Sequence, residues 1–187
     1  MCIRDRDIYK RTTSSVFEEI PFNLGINCRN TSEIHAYAYQ NYRGPAVLAP
    51  NISNIPVTNL TIRGLVEQSE LISQQIVNML VDPGISPGDI VVLISSVDNS
   101  RRMKAELAQQ KISNLVKWTA NHQQSRQEVL IETVKRFKGL EAPIVILWLD
   151  DGGIASIAGE ELYVGSSRAR SKLLIVSTNN TLDKGGN

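Results

Sequence analysis

A charge of one sign is what this 187-residue chain lacks most plainly: 20 Lys and Arg face 19 Asp and Glu, a formal net of +1. Without a net field the chain does not gather polyanions or an anionic membrane by bulk attraction, so any such contact must come from a local patch. Aromatics make up only 5% of the residues, too few for a broad base-stacking platform. No apolar run approaches the roughly 20 residues needed to span a bilayer. Arg4, Asp5, Arg6 and Asp7 break up the start, where a secretory signal would need an apolar stretch. The two cysteines, Cys2 and Cys28, are too few for a disulfide framework and have no metal-ligand spacing. The composition reads as a soluble, cytoplasmic domain with no metal of its own, and 42% hydrophobic residues suffice for one buried core.

What is present is an alternation of short apolar runs and amphipathic stretches. Asn23 to Asn27 reads as a short strand. Asn30-Thr31-Ser32-Glu33 is a polar cap with an acid three residues on, and predicts a helix through about Tyr42, stopped by Gly44-Pro45. Ala46 to Ile62 reads as a loop with room for one edge strand. Glu67 to Val81 carries Ile72, Ile76, Met79 and Leu80 on one helical face. Ile90 to Ile94 is an unbroken apolar run, β-branched at every position but Leu93, the pattern of a strand covered on both faces. Asp98 to Gln110 predicts an amphipathic helix. Val129 to Ile131, Ile144 to Leu149 and Leu173 to Val176 supply further strands, with a helix over about Glu160 to Ala169 between the last two. Strands alternating with helices predict an α/β fold, a doubly wound and mostly parallel sheet with helices on both faces. Ligands of such sheets meet loops at the carboxyl ends of the strands.

Three segments are chemically distinctive. Asn27-Cys28-Arg29-Asn30-Thr31 puts an arginine between a strand end and a helix start. A planar, permanently charged guanidinium there can meet an anion; on this segment alone, an arginine decorating a helix cap is the simpler reading. Thr133 to Glu141 gathers Lys135, Arg136 and Lys138 around Phe137, followed by Gly139, which permits a tight turn. Such a patch suits phosphate oxygens, with Phe137 stacking on a base and Glu141 accepting from ribose hydroxyls. A solvated basic loop with Phe137 packed inward fits the residues equally well. Glu160 to Arg170 places Arg168 near a helix end, where a cation complements the dipole. The alternative there is an arginine finger that neutralises charge on a transferring phosphoryl group.

Together and in this order, the three segments resemble motifs IV, V and VI of superfamily 1 helicases of the UvrD/Rep type. Asn27 to Thr31 resembles N-Y-R-S/N-T, with Cys28 where an aromatic is usual. Thr133 to Glu141 is similar to T-x-H-x-x-K-G-L-E, with Lys135 replacing the histidine. Leu162 to Arg170 resembles L-Y-V-G/A-x-S/T-R-A-R/K, and Ile90 to Leu107, through Arg101 and Arg102, resembles motif IVa. The resemblance runs from about Ile8 to Thr178. It implies two RecA-like domains that close on ATP and step along single-stranded nucleic acid, this chain being the second. Arg29 and Arg168 would be catalytic groups at the γ-phosphate, with Gly139, Glu141 and Arg170 completing the nucleotide side. Thr133, Lys135, Arg136 and Lys138 would contact the strand.

Other signatures are missing. There is no G-x-x-x-x-G-K-S/T phosphate loop. Asp150-Asp151 follows a strand, but beside Gly152-Gly153 rather than in a magnesium-binding context. ATP and Mg²⁺ are therefore expected to belong to a two-domain parent, the metal being held by the missing N-terminal RecA-like domain. That domain and single-stranded DNA are the expected partners, RNA being the alternative strand, with no membrane involved. The stretch between Leu107 and Thr133 is too short for a large inserted 2B subdomain. Ile8-Tyr9 matches only the end of motif III, so residues 1–7 read as a non-native leader, 8–180 as the domain and 181–187 as a tail. The fragment alone is expected to be inactive. The competing reading is a RecA-like regulatory or interaction module of an ATPase that unwinds nothing.

Overall fold

The computed structural model describes residues 25–95, 99–114, 116–121, 125–149 and 159–178. The leader and tail expected from the sequence, and the Asp150-Asp151 pair, lie outside them. Among the described residues the α-helices and β-strands are, in chain order, α1 (Ser32–Tyr39), β1 (Thr58–Thr61), α2 (Leu65–Met79), β2 (Ile90–Ile94), α3 (Ser100–Gln109), β3 (Lys117–Thr119), β4 (Glu128–Thr133), β5 (Ala142–Trp148), α4 (Gly159–Ser166) and β6 (Ala169–Ser177). The strands form one six-stranded sheet in the order β1-β6-β5-β2-β4-β3. Every neighbouring pair is parallel.

Side chains alternate across a strand, and the two cores follow that alternation. Val91, Leu93, Leu130, Val145, Leu147, Leu173 and Ile175 pack with Ile34 and Ala38 of α1 and Leu162, Tyr163 and Val164 of α4. Val92, Ile94, Val129, Ile131, Ile146, Trp148, Leu174 and Val176 pack with Ile72, Ile76 and Met79 of α2 and Met103 and Leu107 of α3. Helices cover both faces, as the doubly wound pattern requires. Gln68 is the largest of three polar residues that α2 buries, the others being Ser69 and Ser73. It accepts from the indole N–H of Trp148 at 2.6 Å and donates to the Ile62 carbonyl at 2.9 Å, so neither amide end is left without a partner.

The structure departs from the sequence expectations at several element ends. The strand expected over Asn23 to Asn27 is, within the described residues, a single parallel bridge between Ile26 and Leu48. The first helix stops at Tyr39 rather than Tyr42. The three-residue edge strand β3, one residue of it exposed, has no sequence expectation behind it. The helix expected to run to Ala169 ends at Ser166, and Ala169 already belongs to β6. Among the described residues no helix is long and apolar enough to cross a membrane.

Candidate functional site

The segment before α1 is held by its own asparagines. The side-chain oxygen of Asn27 accepts from the Arg29 N–H at 3.0 Å, and its amide nitrogen lies 3.0 Å from both Asn30 Oδ1 and His35 Nδ1. Thr31 caps α1, its hydroxyl accepting from the Ile34 N–H at 3.5 Å. Asn30 reaches out of the segment: its amide donates to the Ser167 carbonyl at 3.1 Å and also to the Ala169 carbonyl. Arg29 then projects to Glu141, with Nε 2.7 Å from Oε2; the two side chains are 26% and 43% exposed.

The end of α4 explains where Arg168 goes. The Ser166 hydroxyl donates back to the Leu162 carbonyl at 2.6 Å and the Ser167 hydroxyl to the Val164 carbonyl at 3.1 Å. Side chains that bond the preceding turn compete with helix continuation. Arg168 therefore lies in the turn after the helix rather than in its last turn. It is 1% exposed. Its Nε donates to the Val164 carbonyl at 3.0 Å and its Nη1 to the Leu140 carbonyl at 3.2 Å. Its own carbonyl accepts from the Ala142 N–H at 3.1 Å, starting the β5–β6 ladder. Gly165 lets α4 lie close to the sheet: a Cβ there would meet Leu147 Cδ1 at 2.9 Å and Val134 Cγ2 at 3.1 Å.

Arg29, Glu141 and Arg168 thus converge on residues 140–142. This is the amino edge of the sheet, where β5 and β6 begin, not the carboxyl edge where ligands of doubly wound sheets are expected. The reason is the connection: each of these residues precedes its strand or helix. Arg170 is exposed on β6 beside a register shift, Ala142 facing Ala169 while Ile144 faces Lys172.

The basic turn starts at the opposite edge, after β4. Thr133 is buried at 8% and its hydroxyl accepts from the Arg136 N–H at 3.3 Å. Lys135, Arg136, Lys138 and Gly139 are exposed, and Gly139 has φ of +89°, a backbone state that disfavours side chains. Phe137 is 3% exposed and belongs to the α1/α4 core. Of the two readings of this residue, the inward-packed one is observed, and no base can stack on it in this conformation.

Two acids flank the turn. Glu161 of α4 has its pKa pushed up by burial, the charge of Lys135 opposing the shift. Glu132, buried in β4, pairs with Lys104 of α3 at 2.7 Å and Arg136 at 3.5 Å. It was not among the sequence candidates. An acid inside the run Val-Leu-Ile-Glu-Thr was the available signal. Among the described residues no group of three or more His, Cys, Asp and Glu is placed to hold a metal ion.

No family model matches the chain, and no curated protein matches it. Among solved structures it is similar to the C-terminal domain of a possible DNA helicase from Lactobacillus plantarum WCFS1, at 17% identity and TM-score 0.59, with 80% of this chain and 86% of that one covered. At that identity the likeness is one of fold, an α/β domain of RecA-like architecture. An arterivirus nonstructural protein 10 helicase also aligns, at 13% identity and TM-score 0.34 over 85% of this chain and 25% of that one, too loosely to argue from.

Proposed function

We propose that this chain is the second RecA-like motor domain of an ATP-driven superfamily 1 helicase or translocase of the UvrD/Rep type, acting on single-stranded DNA. The observation that supports it best is the convergence of Arg29, Glu141 and Arg168 on residues 140–142 from three distant segments. Arg29 and Glu141 are partly exposed and mutually neutralised, so an anionic phosphate can draw the guanidinium while the carboxylate turns to a hydroxyl. Arg168 lies beneath them and stiffens the Leu140 carbonyl side of the same turn. The basic turn starting at Thr133 leaves the sheet at one edge and returns at Glu141. It is therefore the physical link by which a strand held at Lys135, Arg136 and Lys138 can feel the nucleotide side.

Among the described residues no group of His, Cys, Asp and Glu is placed to hold a metal ion, and the sequence carries no phosphate loop. ATP would meet this surface only as one half of a composite site, with Mg²⁺ on a first domain that carries a P-loop. This chain alone should then release no phosphate from ATP. In a protein carrying both domains, Arg29→Ala should lower turnover by roughly 10³-fold or more while nucleotide binding persists, the scale of an arginine finger. Single-stranded-DNA-stimulated phosphate release is the assay. Near-wild-type turnover in that variant removes Arg29 from the chemistry.

The burial of Arg168 favours a second reading, a RecA-like module in which this arginine is structural and the parent unwinds nothing. Under that reading single-stranded DNA or RNA gives no stimulation.

A further inference from the structure

Glu132 is a charged residue in the most protected layer of the molecule. Its side chain is 0% exposed; β3 pairs with β4 only as far as Leu130, so Glu132 lies beyond that pairing, and Lys104 of α3 reaches its carboxylate. The carboxylate is met from three sides. Lys104 Nζ lies 2.7 Å from Oε1, the Thr133 N–H donates to the same oxygen at 2.8 Å, and Arg136 Nε stands at a looser 3.5 Å from Oε2. Burial pushes the carboxyl pKa up, but the Lys104 and Thr133 hydrogen bonds and the charges of Lys104 and Arg136 outweigh it and hold the group below its usual value. It is ionised at neutral pH.

The two cations differ. Lys104 is 25% exposed and tightly bonded, whereas Arg136 is 68% exposed and only loosely held. A buried carboxylate with one secure counterion can release its second without being left bare. We propose that Glu132 tunes the strand affinity of the basic turn by sharing Arg136 with the strand: Lys104 stays on the carboxylate while Arg136 exchanges between Glu132 and a phosphate. This rests on the strand-contact reading of the turn.

The test is binding of a fluorescent oligothymidylate to the full chain across a salt series, with folding of each variant checked by circular dichroism and thermal melting. Glu132→Gln should bind several-fold more tightly, its salt dependence steepened by up to about 0.7 in slope, the value for one further phosphate contact on a single strand. Lys104→Gln should do the opposite, because Glu132 then grips Arg136 as its only cation; it also serves if Glu132→Gln does not fold. In an Arg136→Gln background the effect of Glu132→Gln should vanish. A folded Glu132→Gln with unchanged affinity and slope overturns the proposal alone, as does a Lys104→Gln that binds more tightly. A wild-type chain that binds no oligothymidylate at low salt overturns the strand reading and this proposal together.

Discussion

The side-chain amide of Asn30 donates to the main-chain carbonyl of Ser167 at 3.1 Å, joining residues 137 apart in sequence. The same nitrogen serves the Ala169 carbonyl, so one buried side chain holds both carbonyls that flank Arg168. Asn30→Ala would leave these carbonyls short of donors, at a cost of about 1–3 kcal/mol. Asn30→Asp should cost more, since a carboxylate offers only acceptors to two acceptors. Urea denaturation of the two variants gives the ranking, and an Asn30→Asp chain as stable as Asn30→Ala would contradict the donor assignment.

Arg29 and Arg168 should separate by stability, whatever each does to activity. The Arg29–Glu141 pair is partly exposed, and such pairs contribute about 0–1 kcal/mol. Arg29→Ala should therefore leave the unfolding midpoint nearly unchanged. Arg168→Ala removes a fully buried side chain and its bonds to the Val164 and Leu140 carbonyls, and should destabilise by about 2–4 kcal/mol. Loss of turnover in an Arg168 variant is therefore not evidence of a finger until folding is shown intact. An Arg168→Ala chain that melts like wild type would show that burial of this side chain carries little energy.

The strands were legible where burial makes them uniform. Ile90 to Ile94 and Leu173 to Val176 read as apolar runs because a central parallel strand is covered on both faces. β3 was not, since Lys117-Trp118-Thr119 pairs on one side only and carries no run. The three site segments were legible as segments, but the state of their side chains was not. The burial of Arg168 depends on carbonyls at Leu140 and Val164, and the role of Glu132 on an amine 28 residues away at Lys104. Such partners are set by tertiary packing, to which local pattern is blind.

Glu161 makes stability fall as pH rises. Burial raises its folded pKa above the ordinary value of 4.5, so the unfolded chain loses this proton first. The contribution is intact below 4.5 and is lost as pH climbs through the raised folded value. Glu161→Gln should thus melt higher than wild type at neutral pH and match it well below 4.5. Lys135→Ala, which removes the opposing cation, should deepen the wild-type loss. Melting temperatures across a pH series decide it, and equal wild-type and Glu161→Gln curves at neutral pH would refute the assignment.

His35 works in the other direction. It is 7% exposed and stacks on Tyr39 at a centroid separation of 3.9 Å. Desolvation lowers its pKa from 6.5, a hydrogen bond with the Val47 backbone opposing the change. The Asn27 contact adds a geometric demand. Asn27 Oδ1 is committed to the Arg29 N–H, so its amide nitrogen faces His35 Nδ1, which must be unprotonated to accept. Protonation would turn acceptor into donor and force the Asn27 amide to flip or withdraw, loosening the Arg29 segment with it. Because the folded pKa is depressed, the unfolded chain takes up the proton first as pH falls below 6.5, and stability is lost across that window. His35→Gln, which keeps an acceptor but cannot titrate, should flatten the melting-temperature profile between neutral pH and about one unit below the unfolded value. Amide exchange at Arg29 should rise with acid in wild type and stay level in the variant. If exchange at Arg29 rises equally in both, the Asn27–His35 contact is not what holds the arginine in place.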